Sequence, residues 1–318
     1  MKKLLYINDY ACSPEVLKIC SVGNYPESHL WGIKEYVDTH GLEKIKWHVI
    51  YKSLRHPTLR HILEIIRVFL LNWKCDIIYS ALPGYDWLFL LAKKLHLKNY
   101  RIITVVHHPK SRLILLNQYS KLIFISKISY NQYSHLPNAI YKFWGPDLNF
   151  YSNVVPTDIK YDFLAAGKTH RDYGLMKSSL QKFNLKFRIF GDKSETNNTI
   201  SYPELLKFYS ESKYICIPMQ SVDNGGGTLI GLTSFVDALA LGIPVLISDN
   251  SQIGIDIESL KLGYVYKAED MYDFEEKVKQ ILRMSEDDYN IMKCNCKNFA
   301  QTNSFKKFSD TINSILNG

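Results

Sequence analysis

The sequence predicts an α/β protein of two domains, each a parallel sheet wound with helices. Three observations carry that reading. Apolar runs of strand length alternate with amphipathic stretches of helix length from end to end, the order that parallel strands joined by helical crossovers require. The chain has 318 residues, long for one core and comfortable for two. The alternation also runs twice, and the irregular stretch PDLNFYSNVVPTDIKYD, with two prolines, separates the two series.

In the first series the strands are KLLYIND, KWHVIYKS, DIIYSAL, RIITVVHH, KLIFIS and AIYKFWG. Among its helices is SHLWGIKEYVDTHG, where Leu30, Ile33 and Val37 recur at helical spacing, Ser28 can cap the start and Gly41 can end it. The second series has strands at YDFLAAGK, KFRIFGD, KYICIPM, IPVLISD and GYVYKA, with helices at RDYGLMKSSLQKF, PELLKFYSES, GLTSFVDALAL and MYDFEEKVKQILRM. The remaining residues read as two helices. The boundaries are therefore set at 1–150, 151–300 and a C-terminal helix, 301–318, expected to pack back on the first domain.

At 46% hydrophobic and 22% charged residues, the composition is that of a folded globular chain rather than a disordered one. The net charge of +8 is spread without a long Lys/Arg block, which disfavours nucleic acid and favours an anionic small molecule or a membrane surface. Cys12, Cys20, Cys75, Cys216, Cys294 and Cys296 form no CxxC pair, so they read as reduced thiols of a cytoplasmic protein and not as a zinc site. At the N-terminus, MKKLLYINDYACSPE loses its apolar run at Asn8-Asp9, too early for a signal peptide, and reads as a first strand.

One helix is unusual. TLRHILEIIRVFLLNWK, residues 58–74, is apolar almost all round, flanked by Arg55, Arg60, Arg67 and Lys74, and too short and too charged to span a bilayer. A buried crossover helix is the preferred reading; the sharper one is peripheral insertion at the anionic inner face of a membrane.

Ligands of doubly wound sheets bind outside the carboxyl ends of the strands, so the loops that follow strands are the informative ones. SVGNYPESHLWG follows the first strand. Gly23 and Asn24 permit close backbone approach there, and a helix starting near His29 offers free N–H groups to an anion; a plain turn is the simpler alternative. TVVHHPK ends a strand on His107 and His108, of which at most one enters a given pocket, because neighbours on a strand point to opposite faces. AAGKTHRDYG ends a strand at Gly167-Lys168 and begins a helix at Arg171, two cations able to neutralise a diphosphate, with Arg171 capable of a bidentate contact.

The fourth loop is NGGGTLIGLTSFVDALALGIPVLISDN. If its helix starts near Ile230, Gly231, Leu232 and Thr233 present free N–H groups to a phosphate, and a Thr233 or Ser234 hydroxyl adds a contact. Asp237 follows one turn on, able to reach a ribose; the alternative is a partly buried acid paired with a neighbour. No Walker A sequence, GxGxxG, HExxH or DxD appears, so kinase, dehydrogenase, zincin and metal-dependent GT-A readings lack their chemistry and no metal site is expected.

Taken together, GKTHRDY and GLTSFVDALALGIPVLIS resemble the retaining glycosyltransferases of family 4 (glycosyl transferases group 1), where a strand ends in Gly-Arg/Lys and a phosphate-binding helix carries an acid in an EAxAxGxPV pattern. GNYPESHLWGIKEYVDTHG, TVVHH, IFISKISYNQY and FWGPDLNFY resemble further segments of that family in the right order. The resemblance implies the GT-B fold, two Rossmann-like domains facing across a cleft, and a nucleotide-sugar donor transferring to a glycan or lipid-linked glycan. In its terms Asp237 holds the donor ribose, while Lys168, Arg171 and Gly167 with backbone at Gly231, Leu232 and Thr233 hold the diphosphate. His107 meets the sugar, and Gly23 and Asn24 approach the reacting centre from the first domain. His29 and His108 are the acceptor-side candidates. It also implies front-face transfer with retention, without metal or cofactor.

This sequence departs from the family twice. The usual acid is glutamate where Asp237 stands, and the companion acid eight positions earlier falls on Leu229, for which Asp223 or Asn224 are the available substitutes. A nucleotide-sugar 2-epimerase, whose acid and base carboxylates have no assignment here, and a non-catalytic nucleotide-sugar binder are the competing readings.

Overall fold

The structure is a computed structural model and describes residues 2–8, 12–49, 57–81, 83–107, 113–155, 157–191, 200–221, 231–251 and 253–318. Two compact units make up the chain: Met1–Val22 with Glu27–Trp144 and Lys306–Gly318, and Gly23–Pro26 with Gly145–Phe305. Against the sequence boundaries at 150 and 300, the units part at Gly145 and Phe305, and the C-terminal helix belongs with the first. Inside the second unit, a Cβ on Gly145 would lie 1.6 Å from the Asn303 carbonyl oxygen, and Phe305 N–H donates to Pro146 O at 2.8 Å. Only a residue without a side chain lets these two segments run so close.

Among its described residues the first unit holds six parallel strands, β1 (Leu4–Asn8), β2 (Ile45–Val49), β3 (Ile77–Ser80), β4 (Arg101–Val106), β5 (Lys121–Phe124) and β6 (Ala139–Tyr141), in the order β2-β1-β3-β4-β5-β6. Their connections carry α1 (Pro14–Ser21), α2 (Ile33–His40), α3 (Pro57–Asn72), α4 (Trp87–Lys94) and α5 (Lys127–Tyr133). β1 and β3 are buried along their whole length, as strands covered on both faces must be. The core that they form with α3 and α4 includes Leu5, Ile7, Val68, Ile78, Phe89 and Leu90.

The second unit contributes α6 (Leu148–Tyr151), β7 (Tyr161–Ala166), α7 (Tyr173–Lys182), β8 (Phe187–Phe190), α8 (Tyr202–Ser210), β9 (Ser212–Ile217), α9 (Leu232–Leu241), β10 (Val245–Ser248), β11 (Gly263–Tyr266), α10 (Met271–Leu282) and α11 (Glu286–Thr302). Its sheet runs β11-β10-β9-β7-β8, again all parallel. The last helix, α12 (Phe305–Asn317), lies with the first unit from Lys306 onward.

Three expectations need correction. The helix expected over SHLWGIKEYVDTHG is a 3₁₀ turn, Glu27–Leu30, followed by α2, with a break at Trp31 (φ 52°) and Gly32 (φ 80°). α12 causes the break: a Cβ on Gly32 would sit 3.0 Å from Ile312 and 3.2 Å from the Ser309 backbone, so the chain bends where glycine permits both. Ser28 is no cap; it is buried and its carbonyl accepts from Trp144 Nε1 at 2.9 Å. Gly41 does end α2, donating its N–H to Val37 O.

α1 is a helix beyond those expected from the sequence. Its signal is local: Ser13 accepts from Val16 N–H at 3.3 Å and Pro14 fills the first helical position.

The preferred reading of residues 58–74 also fails. α3 buries one face through Ile65 and Val68, but Leu59, Ile62, Leu63, Ile66, Leu70 and Leu71 are exposed. Arg55 lies outside the described residues. Among the described residues no helix is long and apolar enough to cross a membrane. All six cysteines are free thiols.

Candidate functional site

In the second sheet β7 pairs with β8 on one side and β9 on the other, so the chain reverses direction across the sheet at β7. The crevice outside the carboxyl ends of β7 and β9 is therefore the topological switch point, where such sheets bind ligands. β7 leads into Gly167 (φ 137°), and β9 leads through Pro218 to Met219, whose backbone forms an isolated antiparallel bridge with Arg171.

Arg171 turns its side chain back over the end of β7. Nε and Nη2 donate to Ala166 O at 3.4 and 3.3 Å. Two glycines make room for it. A Cβ on Gly167 would stand 2.7 Å from Nε and Nη2, and one on Gly231 would stand 2.8 Å from Ile217 Cγ2 and 3.7 Å from Nη1. The Nη1 atom is buried and has no hydrogen-bond partner among the described residues. A buried, charged donor without an acceptor is costly, and an anion is the group that relieves it.

Beside it α9 begins. Gly231 (φ 93°) is the N-cap and supplies no side-chain cap, so the N–H groups of Leu232, Thr233 and Ser234 in the first turn have no intrahelical acceptor. The Ser234 hydroxyl donates to Ala166 O at 3.1 Å, which ties the helix start to the end of β7 and leaves Thr233 as the hydroxyl open to a ligand. Lys168 is exposed next to Gly167, and its Cγ lies 3.0 Å from where a Cβ on Gly191 would be. Gly191 (φ 91°), just past β8, lies against Gly167 and Lys168 and joins the loop cluster beyond the residues expected from the motifs; glycine directly after the strand in KFRIFGD is its signal. Tyr173 locks the loop by donating its hydroxyl to Gly167 O at 2.6 Å. Gly167, Lys168, Arg171, Gly231, Leu232 and Thr233 are thus neighbours at one end of one sheet.

Asp237 is placed differently from an open clamp. It is 1% exposed, and its Oδ1 accepts from Tyr202 OH at 2.6 Å and from Tyr151 OH. Phe150, Tyr151 and Leu206 form a buried cluster with Val154, Tyr202 and, from α9 itself, Ala240 and Leu241. Burial drives its carboxyl up to about 7, against the pull of the two phenols, which favour the charged form. The sequence gives no hint of this pairing, since Tyr151 and Tyr202 are remote from Asp237 along the chain.

In the first unit, His107 lies at the carboxyl end of β4 with its ring 4.2 Å from that of Trp31, which also meets Trp144 at 5.2 Å and Phe308 at 6.3 Å. His29 stands edge-on to Trp144 at 5.7 Å, and burial pushes its imidazole down to about 4, so it is neutral at pH 7. Gly23 (φ 74°) groups with the second unit and not the first: a Cβ there would be 2.9 Å from Asn153 Nδ2, and Asn24 beside it is exposed. His108, Asp223, Asn224, Leu229 and Ile230 lie outside the described residues. Among the described residues no cluster of three His, Cys, Asp or Glu side chains could hold a metal ion.

No family model matches the chain, and no curated protein matches it. Solved structures do. A glycosyltransferase from Rickettsia africae superposes with a TM-score of 0.63 at 14% identity, over 99% of this chain and 98% of the other. Anabaena HepE in complex with UDP gives 0.61 at 12% identity over the whole of both chains. The E. coli trehalose-6-phosphate structure bound with UDP-2-fluoro glucose gives 0.64 at 10% identity, over 98% of each. The fold is GT-B. At these identities the likeness speaks for the fold alone, and it extends the length of the chain.

Proposed function

We propose that the chain is a GT-B glycosyltransferase that moves a hexose from a nucleotide diphosphate sugar to a hydroxyl of a glycan or lipid-linked glycan on the cytoplasmic side of a membrane. The observation that carries this reading is Arg171 Nη1, buried and without a hydrogen-bond partner among the described residues, beside the first-turn N–H groups of α9, which have no intrahelical acceptor, at the switch point of the second sheet. A diphosphate fits that charge and those donors. A uridine base is the first choice, because HepE and the E. coli structure are described with UDP and UDP-2-fluoro glucose.

In this reading Arg171, Lys168 and the α9 N-terminus stabilise the charge that grows on the departing diphosphate, a task that needs no metal or cofactor. The bond between the anomeric carbon and the phosphate oxygen breaks, a bond from that carbon to the acceptor oxygen forms, and the acceptor proton passes to the departing phosphate oxygen on the same face. Retention of configuration follows from that geometry. His107 is assigned to the transferred sugar, and Asp237 to the ribose once its phenol partners give way to the ribose hydroxyls.

A thermal-shift screen of UDP-, GDP-, dTDP- and ADP-sugars tests the proposal, since a ligand that binds the native state raises its melting temperature. One nucleotide sugar is expected to stabilise the chain and to release its nucleoside diphosphate slowly, both effects being lost in Arg171→Ala. If no nucleotide or nucleotide sugar shifts the melting temperature, the proposal fails. Binding without turnover would make the chain a binder, and conversion of the sugar to its epimer would make it an epimerase.

A further inference from the structure

We propose that the outward face of α3 is a docking surface for the anionic face of a lipid bilayer. This inference stands on the first unit alone and does not rest on the sugar-transfer reading.

α3 is apolar on two opposite sides. Ile65 and Val68 enter the core, and Asn72 is buried on the same side with its amide donating to Val68 O at 2.8 Å. On the far side Leu59, Ile62, Leu63, Ile66 and Leu70 recur three and four residues apart, which sets them on one stripe, and Trp73 extends it past the last turn. Leu70 is 64% exposed and Trp73 53%. A row of large side chains left open on an outer helix marks an interaction surface rather than chance exposure.

Charge decides the partner. Arg60 and Arg67 fall seven residues apart, so they share one flank of the apolar stripe, and Lys74 follows in the turn past the end of the helix. The acid between them, Glu64, is 4% exposed and turned inward, where His48 Nε2 at 3.0 Å and Arg67 hold it. With Arg67 ion-paired to Glu64, the positive charge of the outer surface from Leu59 to Lys74 comes from Arg60 and Lys74, and the one acid of the segment is buried. At the C-terminal end, Lys98 Nζ donates to the Trp73, Lys74 and Cys75 carbonyls at 3.4, 2.9 and 2.8 Å, and Lys74 Nζ lies 5.6 Å from the Trp73 ring centre. Lys98 is itself ion-paired with Asp76 at 3.2 Å, so the cation that the helix end sets beside the exposed indole is Lys74, a combination that favours the headgroup region of a bilayer.

The test is flotation of the full chain with vesicles of phosphatidylcholine alone and of phosphatidylcholine mixed with phosphatidylglycerol. The chain is expected to float with the mixed vesicles, less so at high salt, and to stay behind with phosphatidylcholine. Arg60→Gln with Lys74→Gln is expected to lower partitioning roughly thirtyfold, from about fivefold per cation. Ile66→Glu with Leu70→Glu is expected to abolish it with the melting temperature unchanged, because both positions face solvent. Vesicles should also shift the tryptophan emission of the wild type to the blue, and Trp73→Phe should reduce that shift. The proposal is overturned if the wild type stays behind with the mixed vesicles, or if the Ile66→Glu, Leu70→Glu variant floats as well as the wild type. It is overturned equally if the wild type is a dimer that this variant splits and that ignores vesicles, since the face then belongs to a second copy of the chain.

Discussion

Tyr202 donates its phenolic hydrogen to Asp237 Oδ1 at 2.6 Å, and Tyr151 donates to the same oxygen, so a carboxylate 1% exposed carries two phenols on one atom. Even so, burial wins and raises the Asp237 carboxyl to about 7. The native state then holds this proton more tightly than the unfolded chain. Its contribution is fully present below the unfolded value, roughly 4, and is lost as pH rises through about 7. Asp86, buried and bonded to Gly84 N–H and Tyr119 OH, behaves alike with a value of about 6. Melting temperature measured against pH should therefore fall between about 4 and 7, and Asp237→Asn should leave only the part that ends near 6. An unchanged profile in Asp237→Asn would mean that this carboxyl is ionised in the fold.

The two phenols can be separated from the burial. Tyr202→Phe removes one donor and leaves the other, which should cost about 1–3 kcal/mol of stability in urea unfolding at neutral pH. Tyr151→Phe should do the same. Because each phenol lowers the Asp237 value, each substitution should also move the pH-dependent loss upward. The double variant should cost more than either single one, since it leaves Oδ1 with neither phenol.

At the switch point, Arg171 and Lys168 differ in what they can give a diphosphate. Arg171 is held between Gly167 and Gly231 with two of its nitrogens on Ala166 O, whereas Lys168 is an exposed point charge on a long unbranched stem. Arg171→Lys should weaken UDP binding roughly tenfold or more, as expected for loss of a charge-assisted, oriented contact. Lys168→Gln should cost a fewfold and respond to salt, as a screened point charge does. Calorimetric titration with UDP at low and high salt reads both; equal losses would contradict the assignment of the oriented contact to Arg171.

The eleven strands of the described residues could be read from the sequence, the central ones because strands buried on both faces must be continuous apolar runs, as LLYIN in β1 and VLIS in β10 are. The gathering of Gly167, Arg171 and Gly231 was legible for a related reason: each follows a strand or opens a helix at the same sheet end. What could not be read depends on distant partners. Gly32 breaks a good helical pattern because α12 lies against it, and nothing near Gly32 announces Ile312. Asp237 has the same local sequence whether it faces a ligand or Tyr151. α3 shows the limit most plainly: a helix apolar all round is what both full burial and one open face require, and only the packing of Ile65 and Val68 tells which side is covered.

Two glycines of the second unit should respond in opposite ways to the same added methyl. Gly145 is buried, and its Cβ would stand 1.6 Å from Asn303 O and 2.7 Å from Asn303 C, both backbone atoms, so no rotamer change relieves the clash. The segment at 145–146 would have to part from 303–305, with loss of the Phe305 to Pro146 hydrogen bond. Gly145→Ala should therefore destabilise the chain by about 3 kcal/mol, the upper end for overpacking. Gly174 sits in the first turn of α7, exposed, where a Cβ would meet nothing nearer than Asp172 Oδ1 at 3.7 Å. There alanine removes backbone freedom from the unfolded chain without strain in the folded one, and Gly174→Ala should stabilise by up to about 1 kcal/mol. Urea unfolding of the two variants beside the wild type checks both signs; a neutral Gly145→Ala would show that the two segments do not lie together as the structure has them.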